Sequence, residues 1–262
     1  MPHADIGSQR LYYEDTGSGD DVIVFSHGLF MDHSMFEAQI EAVGGGWRCI
    51  AWDERAHGAT QSTDEPFDYW DMAGDLLGLL DHLGIRSAVL AGMSQGGFLS
   101  LRAALKEPER VRALVLMDTQ TGVEDPETVP AYNQLMEAWM AADGPPQQVL
   151  DTVAAIIIGP GFADAPLWQE RWVAMPKSHV QQAYETLIGR EDDVAPRLSE
   201  LTMPALVVHG EQDLAIDHAL AAQLASALPD GELVTVPGAG HAANLTHPDQ
   251  VNPALVSFLR RV

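Results

Sequence analysis

With 262 residues, 46 % of them apolar, the chain can bury a sizeable core as one domain or as one domain carrying an insertion. Its 38 acidic against 14 basic residues give a formal charge of −24. That balance argues against nucleic acid and anionic membranes as partners and disfavours strongly anionic substrates, since all of these need basic surface.

A single cysteine, Cys49, leaves no intrachain disulfide and no CxxC zinc site. It lies in the apolar run Cys49-Ile50-Ala51-Trp52 and reads as a buried, inert thiol. Met1-Pro2-His3-Ala4-Asp5 has neither the basic nor the apolar part of a secretory leader. No apolar stretch reaches the roughly 18 residues of a membrane span. The expected location is cytoplasmic.

In chain order, residues 9–15 have strand composition, and Gly17-Ser18-Gly19-Asp20-Asp21 is a turn cluster. Val22-Ile23-Val24-Phe25 is short, apolar and β-branched, as in a strand buried on both faces. It ends in Ser26-His27-Gly28-Leu29-Phe30. A helix is expected over 34–43, stopped by Gly44-Gly45-Gly46. Residues 49–52 form the next buried strand, ending at Asp53. Met72, Leu76, Leu79, Leu80 and Leu83 recur at helical spacing over 68–83. Strands follow at 88–91 and 111–117, with a helix over 97–106 between them. This alternation implies a largely parallel sheet with helices on both faces.

From 121 to 199 no buried-strand run is convincing. Helical stretches over 131–142, 146–157, 167–175 and 178–189 are separated by prolines. The expected division is a core of residues 1–120 and 200–262, with 121–199 as a helical cap insertion. Strands then resume at 205–208 and 233–236, with helices over 219–228 and 249–259.

Gly92-Met93-Ser94-Gln95-Gly96 sits between a strand and a helix. A G-x-S-x-G there is a nucleophile elbow, whose sharp turn lifts the serine Oγ clear of the strand end. In open α/β sheets active groups gather at the carboxyl ends of strands. His241 follows the last strand and Asp213 the one before it. Ser94 is then the candidate nucleophile, His241 its base and Asp213 the orienter of the imidazole, in the order Ser…Asp…His. Asp118, closing another strand, is the competing acid. The backbone N–H groups of Leu29 and Gln95 are candidate oxyanion donors. Asp53 and Arg55 are expected to form a structural ion pair behind the site. His33, His57 and His247 have no companions at metal-ligand spacing and read as loop residues, so no metal and no cofactor is expected.

The chain resembles the α/β-hydrolase fold superfamily along nearly its whole length. The resemblance rests on His27-Gly28, Asp53-Glu54-Arg55-Ala56-His57-Gly58, Gly92-Met93-Ser94-Gln95-Gly96-Gly97, Gly210-Glu211-Gln212-Asp213 and Gly238-Ala239-Gly240-His241. Within it the chain is most similar to small esterases, enol-lactonases and cofactor-free haloperoxidase-like perhydrolases. Ala56 stands where that branch usually has Gly, and Thr246 where a Glu often precedes the last x-Pro. The resemblance implies the fold and an acyl-enzyme mechanism on Ser94 and says little of the substrate, for which a carboxylic ester or lactone is the expectation. A C–C bond hydrolase or hydroxynitrile lyase on the same triad is the alternative, and a non-catalytic ligand receptor the non-enzyme one. Phe30, Met31, Met93, Trp139, Trp168 and Trp172 are candidates for the pocket wall, suited to a small, mostly apolar, uncharged substrate. A homodimer is left open.

Overall fold

The computed structural model describes residues 2–262. β1 (His3–Ile6) and β2 (Gln9–Asp15) form an antiparallel hairpin, and β2 runs antiparallel to β4 (Trp47–Trp52). β3 (Asp21–Ser26), β4, β5 (Ala88–Met93), β6 (Val111–Met117), β7 (Ala205–Gly210) and β8 (Gly231–Val236) are mutually parallel. The sheet order is β1-β2-β4-β3-β5-β6-β7-β8. β1 carries a polar residue at every other position, and only Ala4 is fully buried. It therefore lacks the apolar run that reveals a strand in sequence.

The helices are α1 (Glu37–Val43), α2 (Tyr69–His82), α3 (Gln95–Lys106), α4 (Val129–Trp139), α5 (Gln147–Ile157), α6 (Ala165–Ala174), α7 (Lys177–Ile188), α8 (His218–Ala227), α9 (Ala243–Thr246) and α10 (Pro248–Leu259). Period-two alternation divides each central strand between two cores. Val24, Leu90, Leu114 and Val207 face α2, α3 and α8, whereas Ile23, Val89, Val115 and Leu206 join the cluster that includes Val251 and Leu255 of α10. α2 starts in a capping box, Asp68 accepting from the N–H of Asp71 while Asp71 accepts from that of Asp68, which satisfies two end groups at once.

Four helices, α4 to α7, separate β6 from β7. Trp139, Val153 and Trp172 from this stretch pack in one apolar cluster with Phe30 and Met31. The segment thus lies against the loop that leaves β3. Because β3 and β5 to β8 are parallel, their carboxyl ends open on one edge of the sheet, and the loops carrying Leu29, Ser94, Asp118, Asp213 and His241 meet there.

Candidate active site

Ser94 links β5 to α3 with φ 52° and ψ −116°, a left-handed conformation that a residue with a Cβ adopts only under constraint. The Ser94 N–H donates to Met117 O (2.9 Å) and the Gly96 N–H to His27 O (3.0 Å), tying the turn to both flanking strands. A Cβ at position 92 would strike the Gly96 carbonyl, and one at 96 would strike the Ser26 carbonyl. Both flanking glycines are therefore required by close backbone approach.

The Ser94 hydroxyl lies 2.9 Å from His241 Nε2, and His241 Nδ1 lies 2.8 Å from Asp213 Oδ2. Asp213 Oδ1 accepts from the N–H groups of Ala215 (2.7 Å) and Ile216 (3.0 Å), so both its oxygens are engaged. Burial pulls the imidazolium acidity of His241 one way, but Asp213 outweighs it and the pKa is raised. Burial likewise opposes the Asp213 charge, and His241 with its neighbours holds the Asp213 pKa below the usual value. Such a pair favours a proton on the imidazole.

Asp118, the competing acid, makes no hydrogen bond to His241. Fully buried and at φ 48°, it accepts from the Gly210 N–H (2.7 Å) and the Ala243 N–H (3.1 Å). One carboxyl thus fastens the loop that leads to Asp213 and the loop that follows His241. Burial, then the Asp213 charge, pushes its pKa well up. Ligand atoms of Asp118, His209 and Asp213 come within 4.8 Å of one another. Their carboxylate oxygens already accept from backbone N–H groups and from His241, which leaves a poor cage for an ion.

Leu29 follows β3, and Gln95 opens α3 beside Ser94. Among the described residues no group accepts from either backbone N–H. Two side chains that sequence reasoning missed brace these donors. His57, read as a loop residue, is buried, and its Nε2 accepts from the Phe30 N–H (3.0 Å) while its Nδ1 donates to Arg55 O (2.7 Å). Burial, then nearby His27, lowers its pKa to about 3, so it stays a neutral acceptor. Glu54, also fully buried, accepts from Gln95 Nε2 at 2.6 Å. Burial pushes the Glu54 pKa well up, and its Oε1 has no partner among the described residues. The expected Asp53–Arg55 ion pair does not form. Arg55 reaches Asp75 (Nη2–Oδ1 2.9 Å) and Asp53 accepts from His33 (2.7 Å), because β4 ends at Trp52 and the chain turns at Arg55 and Ala56, so strand alternation no longer sets where these side chains point. Ala56 takes φ 61°, the conformation for which glycine is the ordinary choice.

A cavity opens over Ser94 and His241. Leu29, Phe30, Ser94 and His241 form its floor. Tyr132, Leu135, Met136 and Trp139 of α4, Val153, Ile156 and Ile157 of α5, and Tyr184 and Leu187 of α7 form its walls, with Glu124 among them. Of the six side chains expected at the pocket wall, Phe30 and Trp139 line this cavity. Met31, Met93, Trp168 and Trp172 do not line this cavity. Trp172 is buried, donates to Phe30 O (2.8 Å) and packs against Trp139, while Trp168 lies under the Arg171 guanidinium. These two tryptophans therefore act behind the wall, and Met31 and Met93 belong to the core beneath it.

The alpha/beta hydrolase fold family model matches residues 21–248, and the chain belongs to that family. Among curated relatives, the 2-hydroxy-6-oxononadienedioate/2-hydroxy-6-oxononatrienedioate hydrolase of Burkholderia vietnamiensis is 29 % identical, over 96 % of this chain and 91 % of its own length. The enol-lactonase from Burkholderia xenovorans superposes with a TM-score of 0.87 at 26 % identity, covering 99 % of this chain and 100 % of that one. A thermophilic esterase from Thermogutta terrifontis gives 0.86 at 27 %, covering 97 % and 94 %. This protein is thus an enzyme of the α/β-hydrolase class, from its esterase, lactonase and perhydrolase branch. No helix among the described residues is long and apolar enough to cross a membrane.

Proposed function

We propose that the protein is a serine hydrolase that cleaves a carboxylic ester or lactone through an acyl-enzyme on Ser94. The observation that carries this reading is the unbroken chain from Ser94 Oγ through His241 to Asp213, at 2.9 and 2.8 Å, on the floor of an apolar cavity. Ser94 attacks the acyl carbonyl while His241 takes its proton. Asp213 holds the imidazole with Nδ1 protonated and stabilises the imidazolium. The tetrahedral oxyanion rests on the N–H groups of Leu29 and Gln95, where loss of one donor costs about 3–4 kcal/mol of barrier. His241 then returns the proton to the departing alkoxide. In the second half it takes a proton from water, whose oxygen attacks the acyl carbon, and gives it back to Ser94 as the acid leaves.

The helices α4 to α7 serve as a cap over the acyl site. Their leucine, isoleucine, methionine and tryptophan side chains suit a small or medium acyl group that is mostly apolar and uncharged. The relatives named for lactone and ester chemistry support the same reaction class.

The decisive experiment pairs a panel of esters and lactones, graded by acyl length, with Ser94→Ala. Turnover is expected to fall by about 10⁴-fold or more in the variant, and a fluorophosphonate to label Ser94 in the parent protein. Wild-type turnover in Ser94→Ala would end this reading.

A further inference from the structure

Glu124 interrupts an otherwise apolar wall. It lines the cavity that holds Ser94 and His241, and its side chain is only 10 % exposed. One of its oxygens, Oε1, accepts from Arg190 Nη2 at 3.1 Å. The other, Oε2, makes no hydrogen bond to any described residue and is not sealed from its surroundings. The Arg190 guanidinium lies 4.0 Å from the centre of the Phe98 ring, and Phe98 is itself part of the cavity wall. Arg190 therefore stands behind Phe98 and supports Glu124 from outside. What Glu124 presents to an occupant is an acceptor. Tyr132 lines the same cavity, and its hydroxyl also has no partner among the described residues. Burial, then the nearby Glu124 and Asp213 charges, raises its pKa, so it keeps its proton and can donate.

An acceptor and a donor on one apolar wall fit a group that can both donate and accept. We infer that Glu124 and Tyr132 form a subsite for a neutral hydroxyl carried on the acyl chain of the substrate, and that the same subsite turns away a carboxylate. A hydroxyl there gives its hydrogen to Glu124 Oε2 and takes one from Tyr132. A methyl leaves both groups unmatched in a desolvated wall. A carboxylate meets a second carboxylate across low-dielectric space, and the cation beside it, Arg190, is already bonded to Glu124 and does not line the cavity, so it offers the ligand no hydrogen bond. The inference rests on the acyl-enzyme reading and deepens it by naming the substrate class.

Three p-nitrophenyl ester series test it, with acyl chains of graded length ending in methyl, hydroxyl or carboxylate. At the best-fitting length the wild-type kcat/KM should favour hydroxyl over methyl by about tenfold, and methyl over carboxylate by at least about tenfold. In Glu124→Gln the carboxylate-to-methyl ratio should rise by about tenfold or more. Tyr132→Phe should reduce the hydroxyl-to-methyl ratio. Ratios cancel a general loss of activity. If Glu124→Gln fails to fold with Arg190 left unpaired, Glu124→Gln combined with Arg190→Met removes the stranded charge. Wild-type enzyme that accepts the carboxylate series as readily as the methyl series overturns the inference, and so does either ratio standing still in the variants. Fluorophosphonate labelling of Ser94 on the same samples tests the hydrolase reading separately, since a labelled enzyme with unmoved ratios sinks only the subsite.

Discussion

At the scale of single residues, the pH response of the site follows from one pair of charges. In the proposed reaction His241 must be neutral to accept the Ser94 proton, and Asp213 raises its pKa above the ordinary 6.5. The acid limb of kcat/KM therefore reports loss of the imidazolium proton and should sit above pH 6.5, activity rising as pH increases through it. Asp213→Asn removes the charge that stabilises the imidazolium. The limb should then move to lower pH while kcat drops by about 10⁴-fold, because the wrong tautomer is favoured. A limb that stays in place in Asp213→Asn would mean that Asp213 does not set the His241 pKa. Ser94, Asp213 and His241 were legible as candidates in the sequence because each closes a recognisable strand. His57 and Glu54 were not, although the stretch containing them was recognised. Their partners, the Phe30 N–H and the Gln95 amide, lie 27 and 41 positions away, and no local spacing connects them. Glu124 escaped for a related reason, since its meaning depends on its bond to Arg190.

Among the elements, Asp118 decides how two loops meet. It ends β6 and binds one N–H at the end of β7 and one at the start of α9, so a buried carboxyl joins the segments that carry Asp213 and His241. Asp118→Ala leaves both donors unsatisfied in the interior, which should cost about 2–6 kcal/mol of unfolding free energy at 1–3 kcal/mol per orphaned group. Asp118→Asn keeps one acceptor oxygen and should cost less than Asp118→Ala. Denaturant titration of the two variants measures the order. Equal losses would mean that the carboxyl is not acting through these two bonds. The strands that Asp118 brings together were readable from their apolar runs, and the four helices between β6 and β7 from their proline boundaries. The limits of elements were less readable. β5 continues to Met93 and α3 begins at Gln95, because the elbow confines the whole change of direction to Ser94. Ile156 and Ile157, β-branched and strand-like in isolation, close α5 instead, where they face the cavity. Burial on one helical face overrides their intrinsic preference.

For the whole molecule the governing quantity is its charge. With 38 acidic and 14 basic residues, most carboxylates have no cation to meet, even if every arginine and lysine were paired. Ion pairs such as Arg48–Asp15 and Arg197–Glu200 are partly or largely exposed, and exposed pairs contribute little. Two effects of salt then oppose one another. Added ions weaken those few attractive pairs, and they also screen the repulsion among the unpaired carboxylates, which unfolding relieves by spreading the charges apart. Repulsion has the larger number of partners and the longer reach. Raising NaCl from about 0.01 M to about 0.1 M shortens the screening length from about 30 Å to about 10 Å, below the span of the molecule but above the length of an ion pair. The denaturation midpoint should therefore rise over that interval and flatten beyond it. Sodium chloride is the right salt for this measurement, because sulfate stabilises any fold through exclusion from its surface. A midpoint that falls with NaCl would mean that the local pairs, not the net charge, dominate the electrostatics of this fold.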